Sequence, residues 1–205
     1  MGELVAYQNA AYAERYAGSV EQVREREVVA LGSSGAVAQA ASRNLYKLMA
    51  YKDEYEVARL SVDPSFTQTL KSEFGEGTQY VFKFHPPILS ALGMKSKISV
   101  GSWFKPVLGV MYAMRGLRGS WLDPFGHDEV RRTERALIGE YSDALTGAMA
   151  RLNADNVQTV VRLAELPDVV RGYGKLKLAN VVKFRSQLAG LVSQLSGQEA
   201  GAAGR

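Results

Sequence analysis

The sequence predicts a mainly α fold, a helical bundle with a small β-hairpin or short strands near residues 79–103. Apolar residues recur at helical spacing over most of the chain, and Gly, Pro and Ser breaks divide these segments into lengths typical of globular helices. Of the 205 residues, 46% are hydrophobic, which is enough to form a core. We therefore expect a single helical domain over residues 1–195, followed by a disordered tail over residues 196–205.

The first part of the chain is predicted to contain three helices. Residues 3–30 and 36–60 show helical spacing and are separated by a Gly–Ser break. Asp63 followed by Pro64 predicts a further helix start, because Asp caps a helix and Pro suits its first position. That helix should end near Gly75.

The middle of the chain contains the strand signal. Residues 79–85 alternate in polarity, and the two prolines that follow should end the strand. Residues 98–103 are the candidate partner strand. Beyond them, helical spacing predicts helices over residues 103–117, 127–151, 154–166 and 174–195.

The composition excludes several classes of protein. The chain has no cysteine, which rules out disulfides, thiolate-bound iron–sulfur clusters and cysteine-ligated zinc. The net charge of +4 is too mild to predict a nucleic-acid partner. No apolar run approaches the ~20 residues that span a bilayer, so no membrane span is expected. A chain without disulfides is compatible with a cytoplasmic location.

Several charged residues fall on helix faces that should be buried. Lys52, Glu56 and Arg59 continue the apolar arc of the second predicted helix, while Glu134 and Lys177 interrupt later ones. Three interpretations remain open: a buried ionic network, a polar pocket or docking surface, or side chains that reach solvent at the end of the core. Since a lone buried carboxylate is costly, we expect Glu134 to pair with Lys52, Arg59 or Lys177.

Basic residues also cluster elsewhere. Such groups usually form solvated faces, but together they can bind an anion such as a diphosphate or the phosphates of coenzyme A. The groups are Arg115 with Arg118, Arg131 with Arg132 and Arg135, and Arg171 with Lys175 and Lys177.

No catalytic constellation is visible. The chain has no phosphate-loop, dinucleotide-binding or serine-hydrolase motif. Neither His85 nor His127 has a recognisable catalytic partner. We therefore predict no catalytic residue, no metal ligand and no activity for the isolated chain.

Four long strings carry a family resemblance. They are LVAYQNAAYAERY at 4–16, SRNLYKLMAYKDEYEVARL at 42–60, GLRGSWLDPFGHDEVRRTERALIGEY at 116–141 and LPDVVRGYGKLKLAN at 166–180. In order and spacing they resemble the C-terminal domain of the long, fused bacterial indolepyruvate ferredoxin oxidoreductases, over about residues 3–195. One departure is visible: Lys175 stands where the family pattern leads us to expect histidine.

The resemblance implies a role within a larger enzyme. The family oxidises aryl 2-oxoacids to acyl-coenzyme A and carbon dioxide, using thiamine diphosphate, magnesium and iron–sulfur clusters, and passes electrons to ferredoxin. The similar part of the family is neither its thiamine-binding nor its cluster-binding part. We therefore expect an accessory domain or subunit that braces the thiamine-binding and gamma-type domains or covers the active site. The alternatives are a stand-alone module that binds an anionic ligand or a protein partner, and an unrecognised enzyme.

Overall fold

The computed structural model describes residues 1–75, 81–84 and 98–203 and confirms the mainly α class. This part of the chain contains nine α-helices, joined in places by short 3-10 segments. The α-helices are α1 (Gly2–Tyr7), α2 (Ala10–Leu31), α3 (Ala36–Met49), α4 (Glu54–Val62), α5 (Pro64–Phe74), α6 (Lys105–Ala113), α7 (Glu129–Met149), α8 (Val157–Glu165) and α9 (Gly174–Ala203). The 3-10 segments are Ser102–Phe104, Met114–Leu117 and Leu166–Val169.

Two three-residue strands, β1 (Phe82–Phe84) and β2 (Ile98–Val100), pair in antiparallel orientation within the predicted range. The register places Phe82 opposite Val100. Residues 85–97, which would connect the strands, lie outside the described residues. A complete hairpin is therefore not seen.

The helix predicted over residues 3–30 is divided, contrary to expectation. The side chain of Asn9 accepts a hydrogen bond from the backbone N–H of Tyr12 at 2.8 Å and so caps the start of α2. Asn is among the strongest N-cap residues, and this local bond outweighs continuation of the helix.

The helix predicted over residues 36–60 is also divided. It stops at Met49, and Asp53 caps α4 by accepting a hydrogen bond from the Glu56 N–H at 2.9 Å. The buried face of α3 therefore does not continue to Lys52, which is exposed, and the predicted placement of Lys52 on that face is wrong. The prediction assumed one continuous helix, but a new helix starts after Asp53 and has its own register.

The last helix extends past its predicted end at residue 195 and reaches Ala203. Residues 196–203 include three alanines, which favour helix, although Gly197 and Gly201 do not. Residues 204–205 lie outside the described residues.

The main hydrophobic core surrounds α3, which packs against α2, α7 and α8. Tyr141 and Phe184 are fully buried there, and the Tyr141 hydroxyl donates to the Ala164 carbonyl at 2.8 Å. A smaller cluster around Ala58 and Leu108 joins α4 to α6. The charged groups described below lie between and beside these two cores.

A buried carboxylate fixes the start of α3. Glu27, on α2, is 2% exposed. Its two oxygens accept hydrogen bonds from the backbone N–H groups of Gly35, Val37 and Ala38 at 2.9–3.0 Å. These donors belong to the first turn of α3, which has no side-chain cap of its own. Glu27 thus caps one helix from another.

Replacing Glu27 with Ala should lower the free energy of unfolding by about 2–3 kcal/mol, because it leaves buried N–H donors without an acceptor. Glu27→Gln keeps one acceptor oxygen and should lose less. Glu25→Ala, an exposed change on the same helix, is the control and should stay within about 0.5 kcal/mol of the parent. Urea unfolding measures all three, and equal midpoints for Glu27→Ala and Glu25→Ala would contradict the capping role.

Candidate functional site

Four of the predicted site residues line one pocket of about 350 Å³ beside the start of α9. They are Lys52, Glu134, Arg171 and Lys177, and Lys47 lines the pocket with them. We call this the basic pocket. The structure therefore brings residues of α7 and α9 together with the segments that follow α3 and precede α9.

Glu134 forms the centre of an ionic network on the wall of the basic pocket. Its side chain is 5% exposed. One oxygen accepts from Lys177 Nζ, and the other accepts from Arg131 Nη1 at 2.6 Å. Arg131 Nε also donates to Glu54 at 3.3 Å. The expectation that Glu134 pairs with one of three named cations is confirmed for Lys177.

Most of the other cations of the basic pocket already have a hydrogen-bond or ion-pair partner. Lys47 Nζ donates to the Asp168 carboxylate at 3.1 Å and to the Pro167 carbonyl at 3.0 Å. Arg171 lies 3.7 Å from Asp168. Lys52 has no ion-pair partner among the described residues. Because most of its charges are compensated internally, the basic pocket offers little net attraction to an anion.

Arg118, another predicted site residue, forms a buried ion pair with Asp53. Nε and Nη2 of Arg118 donate to the two Asp53 oxygens at 2.5 and 2.8 Å, and both side chains are 3% exposed. Nη1 donates to the Tyr7 carbonyl oxygen, and the guanidinium carbon lies 3.7 Å from the centroid of the Tyr7 ring. This contact joins α1, the start of α4 and the segment after α6.

The surroundings favour the charged form of Arg118 and the neutral form of the Tyr7 phenol. Burial by itself would lower the pKa of Arg118, but the hydrogen bond to Asp53 and the charges of Asp53 and the neighbouring phenols together raise it. Burial raises the pKa of Tyr7, and the Asp53 charge raises it further. Arg118 is therefore charged, whereas the Tyr7 phenol is neutral.

The loop that follows Arg118 is organised by a second buried carboxylate. Asp123 accepts hydrogen bonds from the backbone N–H groups of Gly119 at 2.8 Å and Phe125 at 3.1 Å, and from the Tyr55 hydroxyl at 2.9 Å. A Cβ at Gly126 would lie 2.4 Å from an Asp123 oxygen. Only glycine fits at position 126 without moving Asp123. Asp123 in turn holds the backbone at Gly119, next to Arg118.

Glu56 and Arg59 form a separate contact. Arg59 donates to both oxygens of Glu56, at 2.8 and 2.9 Å, and to Glu3 of α1 at 3.0 Å. This arrangement ties α1 to α4. It lies outside the residues that line the basic pocket.

The remaining predicted candidates do not converge on either site. The Arg115 guanidinium carbon lies 4.4 Å from the Tyr112 ring centroid. Its Nε is buried without a hydrogen-bond partner in the described part of the chain. Lys175 and His127 are exposed. His85 lies outside the described residues.

The structure contains another pocket, which the sequence analysis did not predict. It has a volume of about 470 Å³ and is lined by Arg15, Arg118 and Arg135 together with Tyr12 and Tyr51. We call it the arginine pocket. None of the described residues that line it is Asp or Glu. The sequence analysis missed Arg15 because a charge on an exposed helix position resembles an ordinary solvated face.

Asp53 was also missed, although the sequence contains a signal for it. An Asp followed three residues later by Glu is the spacing of a capped helix start, and Asp53 and Glu56 have that spacing. Tyr7, by contrast, contributes a backbone carbonyl and a ring face, and neither leaves a pattern in the sequence.

No group of three or more His, Asp or Glu residues that could hold a metal ion occurs in the ranges 1–75, 81–84 and 98–203. Within the same ranges, no helix has the length and apolar character that crossing a membrane requires.

Comparison with known proteins gives one match. A family model described as "Family of unknown function (DUF6537)" matches residues 1–190. No curated protein matches the chain. No solved structure matches it either.

Proposed function

Since this chain belongs to DUF6537, a family of unknown function, we propose a function from its resemblance and its surface: it is an accessory domain or subunit of an indolepyruvate (aryl 2-oxoacid):ferredoxin oxidoreductase. It contributes a contact surface that braces the catalytic parts or covers their active site. Its partners are the thiamine-binding and gamma-type domains or subunits of that enzyme.

Two features of the sequence support this proposal. The four long strings of the resemblance run in order from residue 4 to residue 180, and all fall within the residues that the family model matches. The chain also lacks the cysteines that would ligate an iron–sulfur cluster. Under this proposal the partner domains bind thiamine diphosphate, magnesium, the clusters and coenzyme A, and ferredoxin accepts electrons from the complex in the cytoplasm.

The structural observation that carries the docking role is an exposed apolar face on α6. Trp103 lies in the 3-10 segment just before α6, and Val107 and Val110, three residues apart, share one side of the helix. Their exposed fractions are 72%, 43% and 62%. Exposed apolar patches mark interaction sites, and Trp is enriched among the residues that dominate binding energy. We call this surface the α6 face.

The test combines the full chain with the thiamine-binding and gamma-type polypeptides of the same enzyme. A stable complex should form at micromolar concentration, and only the complex should reduce a viologen dye with indolepyruvate. The double substitution Val107→Glu with Val110→Glu should weaken assembly by about tenfold or more, because it places charge in an apolar contact. Val182→Glu, at a 67% exposed position on α9, is the control and should assemble normally.

Two outcomes would overturn the proposal. One is a chain that ignores these partners in sedimentation or size-exclusion experiments. The other is viologen reduction by the isolated chain, which would place a redox centre within it. A stand-alone binding module for an anionic ligand is the second candidate function, and the arginine pocket is the observation that favours it.

A further inference from the structure

The arginine pocket differs from its neighbours in its charge. Arg15, Arg118 and Arg135 line it without any lining carboxylate among the described residues. The basic pocket includes Glu134, and a third pocket, of about 400 Å³, includes Glu25. Of these three pockets, the arginine pocket is the one whose described lining contains arginines and no carboxylate.

Two of its three arginines are not compensated by an acid. Arg118 is neutralised by its buried pair with Asp53. Arg135 donates from Nη2 to the Gly126 carbonyl at 2.6 Å, which is a neutral acceptor. Arg15 is exposed, and its guanidinium carbon lies 4.9 Å from the centroid of the Tyr12 ring. Neither Arg15 nor Arg135 forms an ion pair within the described part of the chain.

The positive charges of the arginines affect the pKa of two tyrosines that line the pocket, Tyr12 and Tyr51. Burial raises the pKa of Tyr12, while the charges of Arg118 and Arg15 oppose the rise. Burial and the Asp53 charge raise the pKa of Tyr51 to about 12, against the opposing effect of Arg118 and Arg135. Both phenols are thus neutral near pH 7.

We propose that the arginine pocket binds a small organic phosphate monoester, with the phosphate dianion contacting Arg15 and Arg135. Two uncompensated arginines match the charge of roughly −2 on a phosphate better than the single charge of a carboxylate, and the guanidinium group can bind two phosphate oxygens at once. The proposal is independent of the accessory role, because the α6 face does not line this pocket.

The size and lining of the pocket indicate that the ligand has an organic part. Its volume of about 470 Å³ falls within the range of about 300–1,000 Å³ that small-molecule sites occupy, and exceeds what a bare phosphate needs. Leu45, Met49 and Ile138 line it beside Tyr12. An aromatic or aliphatic group attached to the phosphate would cover this apolar wall.

Calorimetric titration of the full chain with phenyl phosphate tests the proposal, with benzoate and inorganic phosphate as comparison ligands. Phenyl phosphate should bind about tenfold more tightly than either. Its affinity should rise between about pH 5 and about pH 7.5, because a phosphate monoester loses its second proton near pH 6. Benzoate, a monoanion at both pH values, should show no such rise. Equal affinity for phenyl phosphate and benzoate, or no binding of phenyl phosphate at millimolar concentration, would overturn the assignment.

Substitutions then locate the site. Arg15→Gln, at an exposed position that the fold does not require, should weaken phenyl phosphate binding by about fivefold or more. Arg135→Gln should do the same. Arg26→Gln removes the same charge from an exposed position of α2 that does not line this pocket, and should leave the affinity unchanged. If Arg15→Gln and Arg26→Gln bind alike, the ligand lies elsewhere and the proposal is wrong.

Discussion

Replacing Asp53 with Ala should lower the free energy of unfolding by about 3–5 kcal/mol, because the change leaves the Arg118 guanidinium buried without its counter-ion. The bidentate geometry, with both side chains 3% exposed, leaves Arg118 little access to water in the folded state. Loss of the cap on α4 adds about 1 kcal/mol. Chemical denaturation monitored by circular dichroism measures the change.

Two further variants separate the ion pair from the cap. Asp53→Ala combined with Arg118→Met should be more stable than Asp53→Ala alone, since the stranded charge is gone. Asp63→Ala removes an equivalent helix cap that faces solvent and holds no arginine, and should lose much less stability. If Asp53→Ala and Asp63→Ala unfold at the same denaturant concentration, the ion pair contributes nothing to stability.

Replacing Glu134 with Ala should lower the free energy of unfolding by about 3 kcal/mol, the lower end of the range for breaking a buried pair. The loss stays at the lower end because Lys177 and Arg131 are 18% and 17% exposed and can turn partly toward water. Thermal or urea unfolding measures the change. Adding Lys177→Met should restore part of the stability, because Lys177 loses its partner in Glu134→Ala whereas Arg131 keeps Glu54.

The chain supplies a matched control for this pair. Glu140 and Arg185 also link α7 to α9, at 2.7 Å, but both side chains are substantially exposed. Exposed ion pairs contribute about 0–1 kcal/mol, so Glu140→Ala should have a small effect. An equal loss for Glu134→Ala and Glu140→Ala would show that burial of the Glu134 network is unimportant.

Both buried ion pairs lie where separate parts of the fold meet. Asp53 and Arg118 hold α1 and α4 against the loop after α6, whereas Glu134 holds α7 against α9. Neither network supplies the uncompensated charge that would attract a ligand. That charge comes from Arg15 and Arg135, so stability and the proposed anion binding depend on different residues. Substitutions in one set therefore leave the other measurable.

The helical class and several boundaries followed from local chemistry alone. Asp63 and Pro64 begin α5, and Gly75 follows its end, as their side-chain preferences predict. Glu134 was also predicted to pair with Lys52, Arg59 or Lys177, and its partner is Lys177. Both residues lie in long helices whose register holds over several turns. The prediction for Lys52 was wrong, because the local cap at Asp53 ended that register.

What the sequence determined by itself was local: helix periodicity, helix starts at capping residues and the absence of thiolate ligands. Only the tertiary structure decided which distant groups meet. Asp53 and Arg118 are 65 residues apart, and Arg15 and Arg135 reach one pocket from α2 and α7. A side chain's helical face is set by its neighbours within a turn or two, whereas its charged partner is chosen by how whole helices pack.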